Sequence, residues 1–282
     1  METVVVGVVI LGLLGLLFGF GLAMAGKVFA VDVDPRVEKL LDVLPGANCG
    51  ACGNPGCSGF AEGLVEGRCD LNDCPVCSPE ARKAAAEILG VEVGETERRI
   101  AVVHCRRETV PPRFEYHGVK DCAAAQIVYG GFTTCRYGCL GLGTCVEACP
   151  FGAMYMGEDG LPHIIEDKCT GCGNCVRACP RGVISLAPVS RDVHVLCNSK
   201  HPGKYTRDCC THGCIGCKRC EKTCKHGAIT VTDFLATIDY DKCVNCGECV
   251  EVCPTGAIGD VSLLRDRKPA RERYAATAAQ EG

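Results

Sequence analysis

The chain has 282 residues, of which 27 are cysteine and none is tryptophan, and its formal net charge is −4. Cysteine at this level leaves two classes, a secreted disulfide scaffold or an intracellular metal protein, and the prevalence of C-x2-C steps argues for metal. The charge gives no global basic footprint, which counts against nucleic acid as a partner.

The chain opens on TVVVGVVILGLLGLLFGFGLAMAG, an uncharged run from Thr3 to Gly26. About 20 apolar residues suffice to cross a bilayer as a helix, so a transmembrane anchor is predicted over 1–26. A cleaved signal peptide is the rival. Glu2, with no lysine or arginine ahead of the run, and the length of the run argue against it. Lys27, Arg36 and Lys39 follow. The positive-inside tendency then places the rest of the chain on the cytoplasmic side of the cell inner membrane, single-pass. A reducing cytoplasm favours thiolates over disulfides. The remainder holds no second span, so an ion pathway within this chain alone is not expected.

Residues 27–94 read as a small four-cysteine domain. In NCGACGNPGCSGFAEGLVEGRCDLNDCPVC, Cys49, Cys52 and Cys57 stand at C-x2-C-x4-C, followed by Cys69, Cys74 and Cys77. Spacing alone does not choose the fourth ligand, although the proline after Cys74 favours that residue. Gly50, Gly53 and Gly56 offer a flexible cradle. SGFAEGLVEG predicts one short helix with Phe60, Leu64 and Val65 inward. Zinc and an iron–sulfur cube both suit four sulfurs here. ILGVEVGETERR (Ile88 to Arg99) reads either as a hinge or as a packed connection.

Repeated text follows. CTGCGNCVRACPRGVI starts at Cys169, CIGCKRCEKTCKHGAI at Cys214, CVNCGECVEVCPTGAI at Cys243, and a stretched relative, CLGLGTCVEACPFGAM, at Cys139. C-x2-C-x2-C wraps three thiolates around a [4Fe-4S] cluster, and the distal cysteine, usually trailed by proline, ligates the other cluster of a pair. Structural zinc instead takes two C-x2-C pairs a dozen or more residues apart. The crossover rule groups Cys214, Cys217 and Cys220 with Cys253, Cys243, Cys246 and Cys249 with Cys224, and Cys169, Cys172 and Cys175 with Cys149. In the stretched loop Leu142 stands where Cys217 would be. Cys135 is the natural substitute, giving Cys135, Cys139, Cys145 and Cys179; a three-iron cluster with Cys135 spare is the alternative. GAMYM, GVISL, GAITV and GAIGD read as strands after each loop, and HIIEDKC and ATIDYDKC as strands before one. The expected fold class is α+β: the N-terminal transmembrane helix, the four-cysteine iron–sulfur domain, then two ferredoxin-like two-cluster modules over 95–190 and 191–262. Lys225 and His226 follow Cys224 where the other repeats have Cys-Pro; they either raise the potential of that cluster or form a solvated surface pair.

Five clusters leave Cys69, Cys77, Cys105, Cys122, Cys197, Cys209 and Cys210. Cys105 and Cys197 end the similar strands IAVVHC and VHVLC, and the text is duplicated from about Ile100 and again from about Val193. If those two strands pair, Cys105, Cys122, Cys197 and Cys210 form a sixth metal site; free thiols are the alternative. The histidines show no paired spacing and read as structural or solvated. Residues 263–282, charged and then small and polar, read as a disordered tail, with a partner-binding helix as the alternative.

GKVFAVDVDPRVEKLLDVLPGANCGACGNPGC behind an apolar anchor, with CRYGCLGLGTCVEACPFGA downstream, resembles the B subunit of Rnf-type ion-translocating complexes in its long polyferredoxin form. The resemblance covers nearly the whole chain. It implies C-x2-C-x4-C-x16-C ligation of a [4Fe-4S] cluster by Cys49, Cys52, Cys57 and Cys74, leaving Cys69 and Cys77 extra. It further implies a protein that accepts electrons from reduced ferredoxin and relays them through five such clusters, six with the additional site. The recipients would be membrane subunits and a flavin/NAD-binding subunit of a ferredoxin:NAD oxidoreductase that pumps sodium or protons. The chain shows no G-x-G-x-x-G or P-loop, so no catalytic residue is assigned and nicotinamide and flavin chemistry falls to partners. Lys120, Arg136, Lys200, Lys204 and Arg207 offer a surface for an acidic ferredoxin. A redox-sensing or structural module is one rival. A catalytic polyferredoxin is another, and it would need a further cofactor motif.

Overall fold

Without a single charge between Thr3 and Gly26, the N-terminal run can satisfy its backbone only by helix formation once it leaves water. It forms α1 (Glu2–Val28), with Glu2 in the first turn and Lys27 in the last. Val5–Val28, 24 residues with a mean hydropathy of 2.6, is unburied along its whole length. An apolar surface of that extent is long enough to cross a membrane and finds no cover elsewhere in the described chain. The computed structural model describes residues 2–29, 34–94, 97–106 and 110–261. The tail over 263–282 and the middle of the ILGVEVGETERR connection lie outside these residues.

Three helices build the next unit. α2 (Pro35–Val43) starts on Asp34, whose carboxylate accepts the Arg36 N–H at 2.8 Å, with proline at the first helical position. α3 (Gly56–Val65) turns Phe60, Ala61 and Leu64 inward. α4 (Pro79–Leu89) is capped by Ser78, whose hydroxyl accepts the Ala81 N–H at 3.1 Å, and stops at Gly90 in the left-handed region. Phe60 and Leu40 are fully enclosed in this core together with Cys74 and Cys77. Each apolar side chain of that size contributes about 1.5–3 kcal/mol on burial.

From Arg99 the chain executes one plan twice. The first pass runs β1 (Arg99–Val103), α5 (Cys122–Ile127), α6 (Thr144–Glu147), β2 (Met154–Met156), β3 (Pro162–Ile164), α7 (Asn174–Ala178) and β4 (Ile184–Pro188). The second runs β5 (Val193–Val195), α8 (Gly203–Cys209), α9 (Arg219–Thr223), β6 (Ile229–Thr232), β7 (Leu235–Ile238), α10 (Glu248–Glu251) and β8 (Ile258–Asp260). In each pass the first strand pairs antiparallel with the last: β1 with β4, Ile100 opposite Ala187, and β5 with β8, His194 opposite Gly259. The two inner strands form a hairpin, β2–β3 and β6–β7. Alternating apolar residues (Ile229 and Val231; Val193, Val195 and Ile258) line small cores that also hold the cysteines.

The strands before Cys105 and Cys197, whose pairing was the condition for a shared site, do not pair with each other. Each strand is taken by the closing strand of its own pass, because that pairing buries its apolar side chains on its own loops. The ends of β1 and β5 meet instead through His104, whose Nδ1 lies 2.6 Å from the Val195 carbonyl and whose Nε2 lies 2.6 Å from Ser185 Oγ. Burial holds the His104 pKa below the ordinary imidazole value, partly offset by the carbonyl contact. His194 is likewise enclosed, with Nδ1 2.6 Å from the Tyr240 hydroxyl.

Candidate metal centres

Each cysteine loop has the same backbone. The second residue after the first cysteine has positive φ in all four: Gly141 (78°), Gly171 (71°), Gly216 (67°) and Asn245 (62°). So has the fourth: Gly143 (82°), Gly173 (76°), Lys218 (60°) and Gly247 (80°). Alternation of left- and right-handed residues turns successive N–H groups to one side and makes a cradle for negative charge. A Cβ at Gly171 would run into the Arg99 carbonyl, so only glycine fits against β1 there. Lys218 and Asn245 hold the left-handed conformation without being glycine. Asn245 is compensated: its Oδ1 accepts the N–H groups of Asp192 and Val193, both at 3.1 Å, which fastens the loop to β5.

The loop then enters a short helix, and the cysteine six residues after the first is always its second residue: Cys145, Cys175, Cys220 and Cys249, all buried. Burial pushes the thiols of Cys145, Cys175 and Cys220 up to about 11 and that of Cys249 to about 12. Such thiols keep their protons in neutral solution unless a cation displaces them, and a coordinating metal deprotonates a thiol outright. Backbone amides already point at several sulfurs, with Ala153 N–H donating to Cys149 Sγ at 3.4 Å and Asn245 N–H to Cys243 Sγ at 3.4 Å.

The cysteines gather in fours. Cys224, Cys243, Cys246 and Cys249 line one cavity of about 340 Å³. Cys214, Cys217, Cys220 and Cys253 line another of about 330 Å³. In both, the distal cysteine of one repeat faces the loop of the other. Cys149 lies among Cys169, Cys172 and Cys175, near enough for its charge to act on the Cys175 thiol.

The stretched loop departs from expectation. Its cavity, about 380 Å³, is lined by Cys139, Cys145, Cys179 and Cys122. Cys135 lines a different cavity of about 370 Å³ with Cys105, Cys197, Cys209 and Cys210. Cys135 and Cys122 have therefore exchanged the places that spacing suggests, and two anchors account for it. The Cys122 N–H donates to Thr144 Oγ1 at 2.8 Å, and that hydroxyl donates to Asp121 Oδ2 at 3.0 Å, so the start of α5 is pinned over the loop where Leu142 replaces a cysteine. Arg181 is buried and donates to the carbonyls of Gly130, Cys135 and Gly138 and to Thr133 Oγ1, at 2.6–3.0 Å. It draws residues 130–138 away from that loop and turns Cys135 toward Cys105. Burial lowers the Arg181 pKa, while nearby thiols act in the other direction. The N-cap Asp121 ahead of Cys122 was the available sequence signal; the tether to Thr144 could not be read from spacing.

In the unit built by α2, α3 and α4, Asn48 Oδ1 accepts the Cys57 N–H at 2.8 Å and holds the C-x2-C-x4-C loop to the start of α3. Cys74 and Cys77 are both buried, and burial raises both thiols; Cys52 acts on Cys74 and Cys57 on Cys77. Cys69 is held against the loop by Asn54, which stands between Cys52 and Cys57. Asn54 Nδ2 donates to the Cys69 sulfur at 3.3 Å, and that sulfur packs where a Cβ on Gly63 would come within 2.6 Å. Lys225 pairs with Glu248 at 3.0 Å on the surface, so its charge is balanced by a carboxylate. Lys120, Arg136, Lys200, Lys204 and Arg207 are all exposed.

Comparison with known proteins finds iron–sulfur domains over the cysteine loops; the match over the stretched loop contains Cys135 and not Cys122. A family model for an Fe-S cluster matches residues 44–76, which include Cys74 and stop short of Cys77. Models of 4Fe-4S binding domains match 134–153 and 162–185, and a 4Fe-4S dicluster domain matches 213–257. Over 244 residues the chain is 49% identical to the B subunit of the Na(+)-translocating ferredoxin:NAD(+) oxidoreductase complex of Acetobacterium woodii, covering 86% of this chain and 73% of that one. It is 47% identical to the B subunit of the ion-translocating oxidoreductase complex of Methanosarcina acetivorans, covering 83% of this chain and 90% of that one. The B subunit of the proton-translocating ferredoxin:NAD(+) oxidoreductase complex of Clostridium ljungdahlii is 47% identical, with 85% of each covered.

Proposed function

Because the chain belongs to the B-subunit family of ion-translocating oxidoreductase complexes, we propose that it is a membrane-anchored electron-transfer protein of such a complex. It accepts electrons from reduced ferredoxin and passes them through protein-bound [4Fe-4S] clusters to the other subunits, ending at a flavin/NAD-binding one. The observation that supports this best is the gathering of cysteines in fours around three cavities, with backbone N–H groups turned toward sulfur. Four thiolates and a ring of amides suit a four-iron cube. When bound, such a cube exchanges one electron at a time at a potential set by hydrogen bonding and burial.

Five sites follow. Cys49, Cys52, Cys57 and Cys74 serve the helical unit. Cys149, Cys169, Cys172 and Cys175 form one pair with Cys122, Cys139, Cys145 and Cys179. Cys214, Cys217, Cys220 and Cys253 pair with Cys224, Cys243, Cys246 and Cys249. Each pair makes a ferredoxin-like module. The apolar residues around the loops exclude water. Lys27, Arg36 and Lys39, just beyond α1, support a cytoplasmic location for all of these sites. The exposed basic residues near Arg136 and Lys204 supply the face for an acidic ferredoxin.

Anaerobically purified full chain should carry at least about 20 irons with matching acid-labile sulfide. It should also be reduced by ferredoxin at a rate that falls with ionic strength. Iron without reduction by ferredoxin would leave a sensing or structural role; substantial zinc would shorten the path.

A further inference from the structure

The fourth cavity belongs to none of these sites. Cys105, Cys135, Cys197, Cys209 and Cys210 line it, and at about 370 Å³ it matches the cavities of the loops. Apart from Cys135, these residues fall outside the family models. Its thiols come as equivalent pairs from the two passes. Cys105 and Cys197 each stand two residues beyond the first strand. Cys135 and Cys210 each precede a loop by four residues, in CRYGC and CTHGC. The Cys139 N–H donates to Cys105 Sγ at 3.4 Å, and the Cys214 N–H donates to Cys197 Sγ at 3.2 Å. Ser199 N–H adds a second donor to Cys197 at 3.4 Å. Gly138 fits between two of the sulfurs: a Cβ there would stand 3.4 Å from Cys135 Sγ and 3.6 Å from Cys105 Sγ. Cys209 differs, since its thiol donates to the Thr206 carbonyl of its own helix at 3.6 Å.

We infer that Cys105, Cys135, Cys197 and Cys210 hold a sixth [4Fe-4S] cluster, shared by the two passes, which joins their cluster pairs into one chain. Four thiols around a space as large as the loop cavities, with three backbone N–H groups on two of the sulfurs, reproduce the environment of the other sites. The position adds the function. The amides of Cys139 and Cys214, ligands of the neighbouring sites on either side, contact the sulfurs of this one. An electron leaving the first pair has this site as its next stop. One centre is oxidised as the next is reduced, and no bond forms or breaks. The two passes otherwise present separate two-cluster modules.

The inference rests on the reading that the loops hold cubes, and an iron count separates the two. Iron, sulfide and zinc are measured on the full chain, purified without oxygen. About 24 irons are expected in the native chain, about 20 in C105S/C135S, where both residues serve one site, and about 16 in C105S/C122S, where they serve two. A native count of about 20 overturns the sixth site and leaves the relay standing. A fall from about 24 to about 16 in C105S/C135S overturns the ligand set inferred here, because it would return Cys135 to the loop and leave Cys105 serving a separate site. Zinc in place of four irons also overturns it. A native count far below 20, unmoved by C246S, overturns the relay reading and this one together. Should the serine pair cost the fold, seen as loss of all iron, the native count of 24 or 20 decides alone.

Discussion

The two passes, 99–188 and 193–260, share strand order, hairpin and loop conformation, yet they complete their sites differently. In the second pass every loop cysteine is present, and the segment between β5 and the first loop is short. In the first, Leu142 interrupts the loop, and the longer segment before it carries α5, which delivers Cys122 to the cavity. Cys122 follows KD and Cys209 follows RD, so the two correspond in sequence. In the proposed ligand sets Cys122 completes a loop that lacks its middle cysteine, whereas Cys217 already stands in the second pass and Cys209 is not used. A ligand set is therefore kept by the cavity rather than by the loop, and a cysteine can be replaced by one from another element if something pins that element.

That comparison can be broken most severely at Cys122. C122S should remove about four irons, while C209S leaves the count unchanged. Adding L142C to C122S should restore the missing cube, because the substitution rebuilds the C-x2-C-x2-C loop found in the second pass. Equal counts in C122S and the native chain would mean that Cys135 serves the loop after all.

Arg181 is the next lever, since the second pass has Thr255 at the equivalent place. R181L leaves several buried acceptors without their donor and should lower stability by about 3 kcal/mol, read as a fall in the denaturant midpoint of the anaerobic protein. An unchanged midpoint would show that the 130–138 segment holds itself.

The left-handed loop positions give the smaller effects. N245G keeps the conformation but forfeits the bonds to Asp192 and Val193, at a cost of about 1–2 kcal/mol. K218G should move stability by less than about 0.5 kcal/mol, because relief of a side chain in left-handed backbone offsets the greater freedom of the unfolded chain. The Lys218–Glu221 pair at 3.9 Å is largely exposed and adds little. Similar losses in both variants would show that backbone conformation, not the Asn245 side chain, sets the cost.

What the sequence determined by itself is whatever depends on neighbours along the chain. An apolar run becomes a long helix. Cysteines three apart become a loop, with glycine or asparagine in its tight turns. The GAITV and LATI segments become the β6–β7 hairpin. These follow from local conformation and from solvent, and they were legible. Which distant cysteine completes a cavity was not. The side chains that choose between Cys122 and Cys135 are Thr144, on the loop, and Arg181, reaching back 46 residues to the Cys135 carbonyl. The meeting of Cys105 with Cys197 depends likewise on two closed strand pairs whose ends are joined by His104, not on one strand pairing with the other. Spacing reports only the reach of the backbone. The direction in which a thiol points is decided when buried donors find their acceptors across the fold.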